Sequence, residues 1–308
     1  MTSSPTEPQP EYRAAATDLS ERLRSGIAKG PVIDLASKVD SGISFSDGGA
    51  ATIGAFTTIA AIAGHAGLAA AYPGLAATAG GLATPQIRHL ATLGGNLAQR
   101  SRCWYYRNPH ITCLKKAGYD CPARVGNHLY HVAFDSGPCI APHPSSMAVA
   151  LLAYEATTID TDRRDGLSVG DLLGDGSEGG LDHALQEGEI IRRILLPAPV
   201  AGERALYKRA ISRAYAEWPL VEVSARAVVT DGRFRFVRLA AGGIAPRPLR
   251  LMASEALLLG AEANEETMLE AARRATTDAN PLPMTEYKLD LLIGVVNDLL
   301  ERLAKEQA

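Results

Sequence analysis

Cysteine is scarce in this sequence. Its 308 residues include four, Cys103, Cys113, Cys121 and Cys139, all inside one 37-residue window. A small disulfide-stapled scaffold is excluded, because a chain of this length buries full cores and divides into two or three units once single cores stop growing near roughly 250–300 residues. A basic excess is lacking too: 31 Lys and Arg stand against 34 Asp and Glu, a formal charge of −3. Nucleic acid is thereby excluded as a partner, since its affinity rests on phosphate neutralisation by a basic stripe. The opening MTSSPTEPQPEYRAAATDL is polar and proline-rich, with no basic stretch leading into an apolar one, so no secretory signal is read and a reducing, cytoplasmic setting is expected. Between Asp47 and Arg88 there is no charged residue. That stretch is mostly Ala, Gly and Thr, broken by His65 and Pro73. Such side chains contribute little transfer energy, so it reads as packed interior and not as the ~20 apolar residues of a membrane span.

The pattern along the chain predicts an α+β protein of several units. Residues 1–12 read as a disordered tail. Residues 13–50 form a shortened α/β part, with a helix in ATDLSERLRSG and a strand in PVIDLAS. Residues 51–200 form a larger α/β part, in which ATIGAFTTIAAIAGH passes from strand to helix, GLAATAGGLAT forms a second helix, SSMAVALLAYEATTIDTD runs from helix to strand, and EIIRRILLPAP closes as a strand. This part contains an irregular insert over 100–140. Residues 201–308 form a C-terminal α+β domain, with Asp231-Gly232 as a hairpin turn and three helices after it.

The sharpest short motif is Thr92-Leu93-Gly94-Gly95-Asn96. Two glycines after an apolar segment let backbone N–H groups approach an anion such as a pyrophosphate; the same residues also serve as an ordinary tight turn. Taken with IGAFTTIAAIAGH, YPGLAATAGGLATPQIRHLATLGGNLAQ, CIAPHPSSMAVALLAYEA, AAGGIAPRPLR and LPMTEYKLDLL, the chain resembles, from about Ala14 to its end, the FAD-binding subunits of the molybdenum hydroxylases, such as the medium subunit of carbon monoxide dehydrogenase. The resemblance implies a PCMH-type FAD-binding fold of two α/β parts and a CO-dehydrogenase-flavoprotein-like C-terminal domain. It further implies that Thr92, Gly94, Gly95 and Asn96 hold the FAD pyrophosphate and ribityl chain, that Thr57, Thr58 and Ser146 contact the cofactor, and that Lys208 borders the isoalloxazine. Lys208 reads equally well as a solvated strand residue.

The cysteine spacing, C-x9-C-x7-C-x17-C, lacks the C-x2-C pairs of zinc ribbons and many ferredoxins. Disulfides do not suit a reducing compartment. Four thiolates on one long loop suit a 4Fe-4S cluster, one sulfur per iron, and a structural zinc is the closest physical competitor. RCWYYRN, CLKK and CIAPHPSSMA resemble the subgroup of 4-hydroxybenzoyl-CoA reductase and bacterial aldehyde oxidase, whose flavin subunits carry a four-cysteine 4Fe-4S insert. On that reading Arg102, Arg107, Lys115 and Lys116 offset the anionic cluster. His110, His128, His131 and His143 crowd the same region as a further ligand, a proton relay or plain loop contacts.

Two departures bear on the flavin. Where the family places Ala-Gly-Gly-Thr-Asp-Leu around the diphosphate, this chain has Ala14-Ala15-Ala16-Thr17-Asp18-Leu19, and Ser146 replaces the Asp of Pro-Ser-Asp. Cβ atoms then stand where backbone should approach phosphate. The leading expectation is an electron-transfer oxidoreductase subunit that carries a 4Fe-4S cluster and FAD. It would serve a molybdopterin-containing large subunit and a 2Fe-2S small subunit. The alternative is a divergent member that keeps the cluster with weakened or lost FAD binding and acts alone or as a relay or structural subunit.

Overall fold

The computed structural model describes residues 9–36, 39–155, 157–212 and 217–305. The expected tail lies outside these residues over 1–8. Its end is a strand, Glu11–Arg13, paired in parallel with Val32–Asp34. Ion pairs of Arg13 with Asp34 at 2.5 Å and of Glu11 with Arg22 at 3.0 Å hold this small unit together. Helix Leu19–Arg24 connects the two strands and ends near Gly26, whose φ of +68° suits glycine.

The second unit is a five-stranded sheet in the order Ile43–Phe45, Ala51–Gly54, Ile191–Leu196, Thr158–Thr161, Leu167–Ser168, with every pair antiparallel. The charge-free stretch and the residues just after it supply four short helices against it, Ile59–Gly64, Ala66–Ala71, Pro73–Gly81 and Pro85–Leu90. Thr58, His65 and Thr84 cap three of them through side-chain acceptors, and Pro73 and Pro85 open two. Its small residues permit close approach: a Cβ at Gly74 would lie 3.0 Å from that of Ala205. Helix Ser146–Ala153, almost entirely buried, completes this core with Ile53, Leu75, Leu97 and Ile159.

The third unit is a four-stranded antiparallel sheet, Leu249–Arg250, Arg233–Gly242, Val221–Thr230, Arg204–Ala210. The predicted hairpin turns at Asp231 and Gly232, with φ of +53° and +66°. Helix Tyr287–Lys305 lays Leu292, Val296, Leu299 and Leu303 into this core. The second and third units are joined by Arg226, which is 2% exposed, is ion-paired to Glu203, donates to the Ala153 carbonyl at 2.8 Å and lies 4.1 Å over the Tyr154 ring.

The insert over 100–140 contains no strand. One helical turn, Trp104–Arg107, and two 3-10 turns, Leu114–Lys116 and Pro122–Arg124, are held by polar pins. Arg107 donates to the Ser101 carbonyl at 2.7 Å, Lys116 to that of Asn108 at 2.5 Å, and Arg124 pairs with Asp135 at 2.7 Å. Ala133 and Phe134 dock on the third unit through N–H bonds to the Ile244 carbonyl. Among the described residues no helix is long and apolar enough to cross a membrane.

Candidate functional site

A cleft of about 160 Å3, partly open to solvent, runs where the three units meet. The first unit contributes Thr17 and Asp18, the second Gly95, Asn96, Gln99 and Ser146, the third Arg209 and Trp218, and the start of the insert Arg102. Leu82, Ile87 and Ala91 add an apolar wall. Burial alone would raise the Asp18 carboxyl. Arg102 at 3.0 Å, Arg107 at 2.6 Å and Arg22 at 3.1 Å outweigh it and hold the group below its usual range. The Arg102 guanidinium stacks 4.6 Å from the Trp218 ring centroid and donates to Gln99 Oε1 at 3.1 Å, while its buried Nε has no partner. At the cleft floor, burial raises the Glu222 carboxyl, which accepts from Tyr207 Oη at 2.6 Å and is bonded to the Ser146 hydroxyl.

The glycine pair works differently from an open anion nest. Neither glycine has positive φ. The Gly94 N–H donates to the Ala55 carbonyl at 2.8 Å and the Gly95 N–H to Thr92 Oγ1 at 3.2 Å, so both amides are used in starting helix Leu93–Leu97. Glycine is needed for space: a Cβ on Gly94 would meet that of Ala55 at 2.9 Å, and one on Gly95 would meet Thr92 Oγ1 at 2.9 Å. Opposite Gly95 lies the Ala14 methyl, and Ala16 sits at φ +58°, a left-handed conformation costing a non-glycine residue about 1–2 kcal/mol.

The rim of the cleft continues into the cysteines. All four are free, and Cys113 and Cys139 are buried. Cys103, Cys113 and Cys121 each immediately precede a helical turn. Burial pushes the Cys103 thiol up, opposed by the N–H groups of Tyr106 and Tyr105, which point at its sulfur. Cys121 is hydrogen-bonded to Cys139, which favours its thiolate; the N–H groups of Ile140, Ala123 and Arg124 also reach its sulfur. Cys113 and Cys121 are near enough to Cys103 to disfavour its ionisation. These contacts link the sulfurs of one loop two at a time. Among the described residues no three His, Cys, Asp or Glu side chains group closely enough to hold a metal ion.

The family described as FAD binding domain in molybdopterin dehydrogenase matches residues 6–199, and CO dehydrogenase flavoprotein C-terminal domain matches 205–303. The aldehyde oxidoreductase FAD-binding subunit PaoB of Escherichia coli is 34% identical over 238 residues, 75% of this chain and 73% of that one. The chain belongs to the FAD-binding subunits of the molybdenum hydroxylases. It is an oxidoreductase subunit with an FAD-binding domain. Solved structures of the same fold include quinoline 2-oxidoreductase from Pseudomonas putida 86, with a TM-score of 0.73, 20% identity and coverage of 97% of this chain and 90% of that one. Carbon monoxide dehydrogenase from Hydrogenophaga pseudoflava also scores 0.73, at 20% identity, covering 96% and 89%.

In this FAD-binding subunit the residues singled out from sequence are only partly brought together. Gly95, Asn96 and Ser146 line the cleft. Thr92 caps the glycine helix, Thr57 exchanges hydrogen bonds with the Gly42 backbone at 2.9–3.0 Å, and Thr58 caps helix Ile59–Gly64. Lys208 lies outside the lining, paired with Asp298 at 2.9 Å, and its neighbour Arg209 takes the inward place. The cations of the insert take carboxylates and carbonyls as their direct partners, while Lys115 stays near enough to Cys139 to favour its thiolate. Arg102 and Arg107 go to Asp18 and Glu21, Lys115 to Asp182 at 2.8 Å, and Lys116 to backbone carbonyls. The His110 N–H donates to Asn108 Oδ1 at 2.9 Å, whereas His131 Nε2 lies 3.2 Å from Cys103 Sγ. Gln99, Arg102, Arg209 and Trp218 were not singled out as cleft residues from sequence; only the tertiary meeting of three units reveals them.

Proposed function

We propose that this chain carries both FAD and a 4Fe-4S cluster and passes electrons between a molybdopterin-containing large subunit, a 2Fe-2S small subunit and an acceptor, in the cytoplasm. The observation that supports the reading is that all four cysteines, Cys103, Cys113, Cys121 and Cys139, fall in one insert that begins at the cleft, with Arg102 in the cleft wall and Cys103 next to it. FAD, when bound, supplies one-electron exchange with iron–sulfur centres and two-electron exchange with an acceptor. The protein's part is to bind, orient and seal. The apolar wall and the Trp218 face suit flat rings, and Thr17, Gly95, Asn96, Ser146 and the Arg102 guanidinium suit the diphosphate and its polar chain. Thr57, Thr58 and Thr92 act behind them by fixing the turns, and Lys208 acts from the outer strand face. The four thiolates would hold the cluster, with backbone N–H groups stabilising their charge.

A second reading, cluster without tightly held flavin, draws on Ala16 at φ +58° and on the Ala14 methyl opposite Gly95. The two separate in one experiment. Anaerobic purification of the chain co-expressed with its molybdenum and 2Fe-2S partners should return all three subunits together, with close to one FAD per chain. A complex with iron and sulfide but no flavin would favour the second reading, and a chain that never copurifies with such partners would overturn the electron-transfer role.

A further inference from the structure

Two serines stand at the start of helix Ser146–Ala153, and they are used differently. Ser145 is the cap: its hydroxyl accepts the Ala148 N–H at 3.0 Å, so its own proton goes to Asn96 Oδ1 at 2.7 Å. That contact fixes the Asn96 amide, with Oδ1 held from behind. Its Nδ2 has no partner among the described residues and is left for the cleft that Asn96 lines. Ser146 takes no part in the cap. Its hydroxyl is bonded to Glu222, whose carboxyl also accepts from Tyr207 Oη at 2.6 Å.

Glu222 is 1% exposed and has no ion pair among the described residues. In the sheet it stands between Arg209 and Gly242. The glycine is there for space: a Cβ on Gly242 would lie 2.8 Å from Glu222 Oε1 and closer still to Val149 Cγ2. Burial raises the carboxyl, while the Tyr207 and Ser146 hydroxyls oppose it by donating to the charged form, and Arg209 adds a weaker attraction. A buried carboxyl without an ion-pair partner is a poor way to stabilise a sheet, since an apolar side chain of similar size does as well or better. Of Tyr207, Glu222 and Ser146, only Ser146 reaches the cleft lining. A hydroxyl whose proton is committed to a carboxylate has only acceptor lone pairs to offer there.

We propose that Glu222 and Ser145 are positioning residues for the flavin cofactor: they fix Ser146 as an acceptor and Asn96 as a donor, so that this part of the cleft reads the uncharged riboflavin half of FAD, through its hydroxyl and ring N–H groups, and not the diphosphate. The inference rests on the reading that this chain binds FAD, and it narrows that reading by dividing the cofactor within the cleft. Hydroxyl and N–H groups supply the proton that the Ser146 oxygen lacks, whereas phosphate oxygens, themselves acceptors, leave it unpaired. The diphosphate is left to the cationic part of the lining, where Arg102 has a buried Nε with no partner.

The test titrates the full-length chain, stripped of flavin, with FAD and with riboflavin, which lacks the diphosphate. Wild type is compared with Ser146→Ala, Glu222→Gln and the double variant Glu222→Gln/Tyr207→Phe. Glu222→Gln leaves two hydroxyl donors facing one acceptor oxygen, so Ser146 is no longer held, and FAD and riboflavin should each bind about tenfold more weakly. Ser146→Ala should weaken both by a similar factor. Removing the competing Tyr207 hydroxyl frees the remaining oxygen for Ser146, so the double variant should return to within about threefold of wild type, a rescue that a purely structural role would not give. If Glu222→Gln lowers the urea midpoint far below wild type, Ser146→Ala, which leaves the sheet untouched, carries the test. Unchanged FAD affinity in Ser146→Ala and Glu222→Gln overturns the inference. So does a loss confined to FAD with riboflavin unaffected, or a wild type that binds FAD but no riboflavin up to its solubility limit, because the affinity then lies on the diphosphate half. A wild type that binds no FAD at all is a different result, and it takes down the flavin reading itself.

Discussion

The cleft and the cysteine insert touch at Arg102 and Cys103, yet they are built by opposite means. The cleft stands on regular elements whose apolar faces close a continuous core of Ile53, Leu75, Leu97, Met147 and Ile194. The insert has only a small cluster of its own, Ala123, Val132 and Ile140, and is otherwise held by ion pairs and side-chain-to-carbonyl bonds. Burial of aliphatic side chains stabilises the first without any ligand, at about 1.5–3 kcal/mol per side chain. Polar pins contribute about 0.5–1.5 kcal/mol net each, too little to order some forty residues, which makes the insert the region that gains most from a bound metal centre.

The largest effect should therefore come from removing one sulfur. In Cys121→Ser, iron content and the broad iron–sulfur absorbance should fall close to zero and limited proteolysis should cut within 108–130, while circular dichroism from the two sheets stays near wild type. Unchanged iron in that variant would break the contrast between the regions. Next is the joint between the second and third units. Arg226→Met leaves Glu203 buried without its cation, for a loss of about 3–5 kcal/mol in denaturant unfolding, while the iron content of the folded protein is retained.

An intermediate effect is expected from acid. Burial would raise the Asp182 carboxyl, but Lys115 and Arg100 outweigh it and bring it to about 2. Its folded value is thus below the unfolded one, so its contribution is fully present above pH ~4 and is lost as pH falls from ~4 toward 2, at about 2 kcal/mol in all. Stability curves of wild type and Asp182→Asn should converge over that window. Curves that stay parallel would show that this ion pair does not join the insert to the loop carrying Asp182. At the cleft, Gly94→Ala should cost about 1–3 kcal/mol by driving a methyl into Ala55. The smallest effect should be Ala16→Gly, a gain of about 0.5–1 kcal/mol from relieving the left-handed backbone, accompanied by tighter FAD retention on gel filtration.

What could be read from sequence follows the same division. In the regular units the signals were local: Asp231-Gly232 turned the hairpin and the run after Ala51 passed from strand to helix, while the charge-free stretch packed only one side as interior, with Ile59, Ile62, Leu68 and Leu75 buried and Gly64, Ala69 and Gly80 exposed. Glu11 and Tyr12, expected in a tail, became strand because Val32 and Ile33 lie beside them, a pairing across 21 residues that no local pattern announces. Gly94 and Gly95 were legible as essential but for a different reason, since distance to Ala55 and Thr92 is a tertiary quantity. In the insert the cysteines could be found by composition, whereas the partners of its cations could not. Arg107 reaches back 89 residues to Asp18, and Lys288 reaches back 158 residues to Tyr130.

The central claim is that the scarce cysteines form one metal centre beside a flavin cleft. Its most direct test is the metal and sulfide content of anaerobically purified wild-type chain. The account predicts ~4 iron and ~4 inorganic sulfide per chain. One zinc per chain with no sulfide, or four titratable free thiols with no metal, would contradict it.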